Sequence, residues 1–192
     1  MTRQEYRERL REKRVGIAGA GGLGSNCAIA LARAGVGSLV VADFDRVSLD
    51  NLDRQAYFLD QVGMLKIEAL ALNIARIDPS IQVEAHAVRL DRGTLAAIFS
   101  DCDVIVEAFD AAEAKVMFIE TLLEELRDRP LVCASGVAGY GRPESFRVRR
   151  SGALRMVGDF ESGVGPDNPP MAPRVGIAAS MEADLVMEVL LA

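Results

Sequence analysis

The sequence predicts an α/β protein: a mainly parallel sheet with helices on both faces, followed by a hairpin, a loop and a last helix. Short apolar runs alternate with longer amphipathic ones from Val15 to Gly136. Strand, helix and strand fit between Val15 and Asp45, the roughly thirty residues that a right-handed parallel crossover needs. Several strands are unbroken apolar runs, the pattern of strands buried on both faces. At 192 residues, 50% hydrophobic and 26% charged, the chain is sized for one domain around one core, residues 1–192.

The elements follow in order. "TRQEYRERLREKR", Thr2–Arg14, is a polar helix of mixed charge. A charged opening over residues 1–14 is not a basic-then-apolar leader, so the cytoplasm is the expected compartment. "VGIAGA", Val15–Ala20, is a short buried strand, and the helix that starts near Gly22 stops at Gly35, a residue suited to a left-handed helix end. "SLVVADFD", Ser38–Asp45, is the second strand. The run Val15–Phe44 is nearly free of charge, yet its glycines and Arg33 exclude a membrane span. Val62–Pro79 is an amphipathic helix ended by proline, and Ile81–Val88 alternates as a strand. Arg92–Ser100 is a short helix, Cys102–Phe109 a strand, Ala111–Arg127 a helix and Pro130–Gly136 a strand. Beyond Gly136, "ESFRVRRSGALRMVGDF" reads as a hairpin turning at Ser151 and Gly152. Residues 158–173 form a glycine- and proline-rich loop expected to be mobile, and the chain from Arg174 onward is a helix packing back on the sheet.

Composition excludes some functions. A net charge of −6 argues against a nucleic-acid face, although a local basic pocket remains compatible with it. Cys27, Cys102 and Cys133 lie far apart with no CxxC pair, so no zinc site is expected and the thiols are expected to be buried and inert. His86 has no second histidine to help it bind metal and is expected to be structural.

Gly19, Gly21 and Gly24 form GxGxxG between a strand and a helix that begins at Gly22. That context gives a Rossmann-like nucleotide site, with phosphate on the backbone N–H groups of the helix N-terminus. Asp43 ends the second strand, where a carboxylate accepts hydrogen bonds from ribose hydroxyls. NAD and ATP both carry that ribose, so the glycines and Asp43 leave the nucleotide open. Asp45, two residues on, joins Asp43 at the mouth of the sheet as a cofactor-binding candidate. Transfer of a nucleotidyl group needs cations around a triphosphate. Asn51 and Arg54 in N-x-x-R-Q, and Lys66 in the following helix, are candidates for that task; singly, each cation also reads as a surface residue.

Taken together, "GAGGLGS", "DFDRVSLDNLDRQ", "VGMLKIEAL" and "IDPSIQVE" resemble the ThiF/MoeB/ubiquitin-activating-enzyme superfamily. The resemblance runs from Val15 to about Lys115, and "EAFDAAEAK", "ASGVAGYG", "GDFES" and "APRVGIAA" are similar to the short bacterial ThiF-type proteins of thiamine biosynthesis. It implies an adenylyltransferase that activates the C-terminal glycine of a ubiquitin-like sulfur carrier ending in Gly-Gly, with ATP and Mg2+ and as a homodimer. Asp43 is then the ribose ligand, Asn51, Arg54 and Lys66 surround the triphosphate, and Asp110 stands near Mg2+ and the α-phosphate. By itself Asp110 also reads as a helix N-cap. The carrier carboxylate is ionised at neutral pH, so the reaction needs no general base, only positioning and charge stabilisation.

The chain departs from that family pattern in places. Asp110-Ala111 with Lys115 stands where relatives have Asp-Asn followed by an arginine, and a lysine lacks the bidentate fork. No cysteine follows Cys133, so sulfur insertion is expected to be completed by another protein. Arg3, Arg11 and Arg14 are candidates for an N-terminal arginine acting on a partner subunit's ATP. The loop at 158–173 is a candidate contact for the carrier tail. Two competing readings are an NAD(P)-dependent oxidoreductase, from GxGxxG and Asp43, and a non-catalytic nucleotide-dependent scaffold, from the changes at Ala111 and Lys115.

Overall fold

The computed structural model describes residues 1–127 and 129–192. Helix α1 (Arg3–Arg11) leads into β1 (Arg14–Ala18), followed by α2 (Gly22–Ala34), β2 (Ser38–Ala42), α3 (Lys66–Ile77) and β3 (Gln82–His86). Then come α4 (Arg92–Phe99), β4 (Val104–Glu107), α5 (Ala112–Glu125), β5 (Leu131–Ala134), β6 (Arg147–Ser151), β7 (Leu154–Gly158) and α6 (Ala172–Leu191). The strands form one seven-stranded sheet in the order β3-β2-β1-β4-β5-β7-β6. Every pairing is parallel except β6 with β7, the expected hairpin, whose turn falls at Gly152 and Ala153. The chain is therefore an α/β sandwich of helices about a mainly parallel sheet, and among the described residues no helix is long and apolar enough to cross a membrane.

Two apolar layers hold the helices. One side packs α2, α3 and α6 over Val15, Ile17, Leu39, Val41, Val104, Val106, Val132 and Val157. The other packs α4 and α5 over Ala18, Val40, Ile105 and Leu131, with Phe99 and Phe118 meeting edge to face at 6.3 Å between ring centroids. Successive strand residues serve opposite layers, which is why β4 reads as an unbroken apolar run.

Most boundaries differ from the expected ones by a few residues. The N-terminal helix stops at Arg11, because Arg14 joins the sheet and donates its N–H to the Asp103 carboxylate at 2.8 Å. Helix α3 begins at Lys66 rather than Val62: Gly63 takes a left-handed φ of 92°, and Leu59–Gln61 form a separate 3₁₀ turn. The loop expected to be mobile is tied at both ends. Asp159 Oδ1 accepts the N–H groups of Glu161 and Ser162, and Gly139 bridges to Pro170.

The Arg174–Asp159 pair and the lone Glu182 are among the buried ionisable groups. Arg174, in the first turn of α6, places one guanidinium nitrogen 2.6 Å from Asp159 Oδ2 and another 2.7 Å from the Gly141 carbonyl oxygen. It thereby joins the loops after β5 and β7 to α6. Burial acts to raise the Asp159 carboxyl, but the Ser162 hydroxyl and N–H, the Glu161 N–H and Arg174 outweigh it and hold the group at about 2. The pair thus stabilises the fold above the ordinary carboxylate range, and that contribution is lost as pH falls through about 4 towards 2. Glu182, on the same helix, is fully buried, and neither carboxylate oxygen has a hydrogen-bond partner among the described residues. Burial pushes its carboxyl up to about 8, opposed by Lys115 and reinforced by Glu107. The neutral form is the folded form, so stability falls as pH rises from about 4 to 8.

Arg174→Met removes the cation beside the buried Asp159, which keeps only its bonds from Glu161 and Ser162, and is expected to cost about 3 kcal/mol, a fall of roughly 10 °C in Tm by calorimetry. Glu182→Gln is expected to flatten the decline of Tm between about pH 5 and pH 8; a decline as steep as the wild type's counts against a buried neutral carboxyl.

Candidate functional site

Strand order reverses between β1 and β4, and the loops at their C-terminal ends separate there. A cleft of about 390 Å3 opens at that point. Its floor is Gly19 and Gly21 after β1, one wall is Asp43, Phe44, Asp45 and Lys66, another is Val88–Leu90 after β3, and the last is Ala108–Ala111 after β4. A second hollow, of about 380 Å3, lies at the other end of the strands among Arg11–Arg14, Gly35–Ser38 and Asp78–Gln82. In parallel sheets ligands gather at the carboxyl ends of the strands, so the first cleft is the candidate site.

The glycine loop is built by backbone contact. Gly19 turns with φ 97°, and a Cβ at Gly24 would lie 1.9 Å from the Gly19 carbonyl oxygen. Helix α2 therefore starts directly against the end of β1. Its N-terminus at Gly21 has no capping side chain, which leaves first-turn N–H groups available to an anion. Four side chains brace this loop. Asp43 Oδ2 accepts the Ala20 N–H at 2.7 Å, and the Tyr57 hydroxyl donates to the Ala20 carbonyl at 2.7 Å. The Ser25 hydroxyl donates to the Gly21 carbonyl at 2.6 Å and accepts the Ala56 N–H at 3.0 Å. Asn26 donates to the carbonyls of Gly22 and Arg54. Sequence reasoning missed Ser25, Asn26 and Tyr57, because no spacing rule links residues 25 and 26 to residues 54–57.

The charged groups of the cleft are partly paired. Lys66, only 6% exposed, sets Nζ 2.8 Å from Asp45 Oδ2, and its backbone N–H donates to the Asp45 carbonyl. Asp43 Oδ1 accepts the Asp45 N–H at 2.7 Å. The Arg89 guanidinium lies 4.9 Å from the centre of the Phe44 ring, on the wall formed by the β3–α4 loop. Asp110 stands exposed on the wall opposite Lys66, with no hydrogen-bond or ion-pair partner among the described residues.

Gly19, Gly21, Asp43, Asp45, Lys66 and Asp110 are thus brought together. Gly22 and Gly24 shape the loop from behind. Asn51 and Arg54 stand outside the cleft: Asn51 Oδ1 accepts the Ser48 N–H at 3.1 Å, and Arg54 packs beside Gly22 with Nη1 on Asp53 Oδ1 at 2.7 Å. The N-cap reading of Asp110 does not hold, because α5 starts at Ala112 after Ala111 and no side chain caps it. Lys115 is turned away from the cleft, onto Glu107 at 2.5 Å and the Ala134 carbonyl at 3.0 Å. Arg3 and Arg11 on α1, and Arg14 paired with Glu84, belong to the opposite end of the sheet. His86 contacts Glu84 at 2.7 Å. The three cysteines are buried, and burial pushes the thiols of Cys102 and Cys133 up to about 12 and that of Cys27 well above its usual value. None is ionised at neutral pH, as expected of inert thiols.

A model of one protein family matches residues 1–192, the whole chain. The chain belongs to the ThiF family. It is 37% identical over 134 residues to "Adenylyltransferase and sulfurtransferase MOCS3" of Caenorhabditis briggsae, covering 69% of this chain and 33% of that protein. It is 38% identical over 109 residues to the molybdopterin-synthase adenylyltransferase of Haemophilus influenzae, covering 56% and 45%. The chain therefore spans less than half the length of each of these relatives. In fold it is similar to the Escherichia coli tRNA N6-threonylcarbamoyladenosine dehydratase TcdA in complex with ATP, with a TM-score of 0.88 at 21% identity over 98% of this chain and 89% of that one.

Asp43 carries a loop-bracing duty that does not depend on any ligand. Asp43→Asn turns one of its two acceptor oxygens into a donor, which is expected to cost about 1–3 kcal/mol. Hydrogen exchange at the Ala20 or Asp45 amide is expected to speed up in step; unchanged protection of both would remove the bracing role.

Proposed function

We propose that this protein is an ATP-dependent adenylyltransferase acting on the C-terminal glycine of a small ubiquitin-like sulfur carrier, in the manner of the ThiS-type carriers of thiamine biosynthesis. The observation that carries the reading is the convergence of an uncapped helix N-terminus, Asp43, Lys66 and Asp110 on one cleft at the strand-order reversal. Membership of the ThiF family supports it. So do the two relatives named adenylyltransferase. Those two relatives bear molybdopterin-related names or a sulfurtransferase function, so the thiamine assignment rests on the resemblance of the sequence to short ThiF-type proteins.

In the proposed reaction, a carboxylate oxygen of the carrier forms a bond to the α-phosphorus of ATP and the bond from that phosphorus to the bridging oxygen breaks, releasing pyrophosphate. The α2 N-terminus receives phosphate oxygens. Each Asp43 oxygen accepts one backbone N–H and retains a lone pair for a ribose hydroxyl. Lys66 exchanges Asp45 for phosphate, and Arg54, beside Gly22, reaches the same phosphates by releasing Asp53. Asn51 holds the turn that presents Arg54. Mg2+ would be held by one or two carboxylates together with substrate phosphates, and the Asp110 carboxylate, without a partner among the described residues, fits that donor set. When bound, the ion supplies charge neutralisation at the transferring phosphorus. We further propose a homodimer, and contact between the carrier tail and the loop from Gly158 to Pro173.

The test is ATP–pyrophosphate exchange with Mg2+ and an intact carrier, beside the same carrier lacking its last glycine. Exchange only with the intact carrier is expected, and Lys66→Met is expected to lower its rate roughly a hundredfold. A thiamine-pathway and a molybdopterin-pathway carrier compared side by side decide the pathway. ATP bound without exchange for any carrier leaves the scaffold reading, and NADH bound in place of ATP leaves the oxidoreductase reading.

A further inference from the structure

Glu107 ends β4 with its carboxylate completely buried, three residues before Asp110. Its two oxygens reach to either side of Asp110 along the chain. Oε1 accepts the backbone N–H of Phe109 at 2.8 Å, and Oε2 receives Lys115 Nζ at 2.5 Å from the first turns of α5. Lys115 continues to the carbonyl oxygen of Ala134, the last residue of β5, at 3.0 Å. The segment from Ala108 to Ala111, which forms a wall of the cleft, is therefore held between a backbone bond at one end and the half-buried Glu107–Lys115 ion pair at the other. Phe109 adds an edge-to-face contact with Phe118 of α5 at 5.3 Å. Because α5 has no capping side chain at Ala111, the pair is the polar tie that sets where its first turn stands.

We propose that Glu107 and Lys115 are positioning residues: together they fix the place of Asp110 in the cleft, and Lys115 makes no contact with the nucleotide itself. The proposal rests on the reading of the cleft as a Mg·ATP site. Lys115 stands where the family pattern has an arginine, and its ammonium is already shared between a carboxylate and a carbonyl behind the wall. A lysine suits that place, since a compact point charge meets two acceptors without needing a planar fork.

The test is ATP affinity as a function of Mg2+ concentration, in the wild type and in Lys115→Met, Lys115→Arg, Asp110→Asn and the double variant Lys115→Met/Asp110→Asn, each checked for folding by circular dichroism. In Lys115→Met, ATP affinity without Mg2+ is expected to stay within roughly threefold of wild type, while the Mg2+ needed for half-maximal effect rises about tenfold or more. Lys115→Arg is expected to recover most of that loss, and the double variant to be no worse than Asp110→Asn. A loss of about tenfold in Mg2+-free ATP affinity makes Lys115 a nucleotide contact and overturns the proposal; so does an unchanged Mg2+ midpoint, or additive losses in the double variant. If Lys115→Met does not fold, Glu107→Gln carries the same expectations. If the wild type binds no ATP, the proposed function fails, and the brace is judged on hydrogen exchange instead. Protection of the Phe109–Lys115 amides is then expected to fall in Glu107→Gln while that of β1 stays, and unchanged protection overturns it.

Discussion

No side chain fits between Gly24 and the carbonyl oxygen of Gly19, and the functional end of the molecule depends on that contact. It lets α2 begin against the end of β1, so that the positive end of the helix faces the space where the strand order reverses. A loop this tight leaves backbone polar groups that must be satisfied. Asp43 meets that requirement from the end of β2, Tyr57 from the segment before α3, and Ser25 from α2, where its hydroxyl also accepts the Ala56 N–H. The glycine loop and the stretch Asp43–Tyr57 are thus one construction.

The charges follow from the same geometry. Lys66 has a counter-ion in Asp45 at 2.8 Å. Arg54 has a comparable counter-ion in Asp53. Asp110 has neither a counter-ion nor a hydrogen-bond partner among the described residues, which sets it apart from Asp43 and Asp45. Behind the wall, Glu107 and Lys115 are neutralised pairwise, because a single buried charge there would be far costlier than the pair.

Much of the fold was legible because it is periodic or local. Apolar runs marked the buried strands, Gly35 marked the end of α2, and the turn near Gly152 marked the antiparallel hairpin. Helix ends were less legible: Lys66 rather than Val62 begins α3, since a left-handed glycine and a 3₁₀ turn interrupt a stretch whose hydrophobic spacing looks helical throughout. At the site, the glycines, Asp43, Asp45 and Lys66 were singled out as candidates from type and spacing, and Asp110 from the family resemblance; the structure lines one cleft with them. The outward placement of Arg54 and Asn51 was not, because their neighbours Asp53 and Ser48 are equally plausible solvent residues in a linear reading.

The sequence by itself determined the α/β class, the glycine turn at the end of β1 and the residue types offered to a phosphate. These rest on interactions between residues close in the chain, where dihedral preference and hydrophobic period act directly. Tertiary structure alone decided that Lys115 faces Glu107 instead of the cleft, that Arg174 and Asp159 lock the late loops, and that Glu182 is buried without a partner among the described residues. Each is an electrostatic outcome of which groups share a low-dielectric space, and that is set by how the helices stack on the sheet.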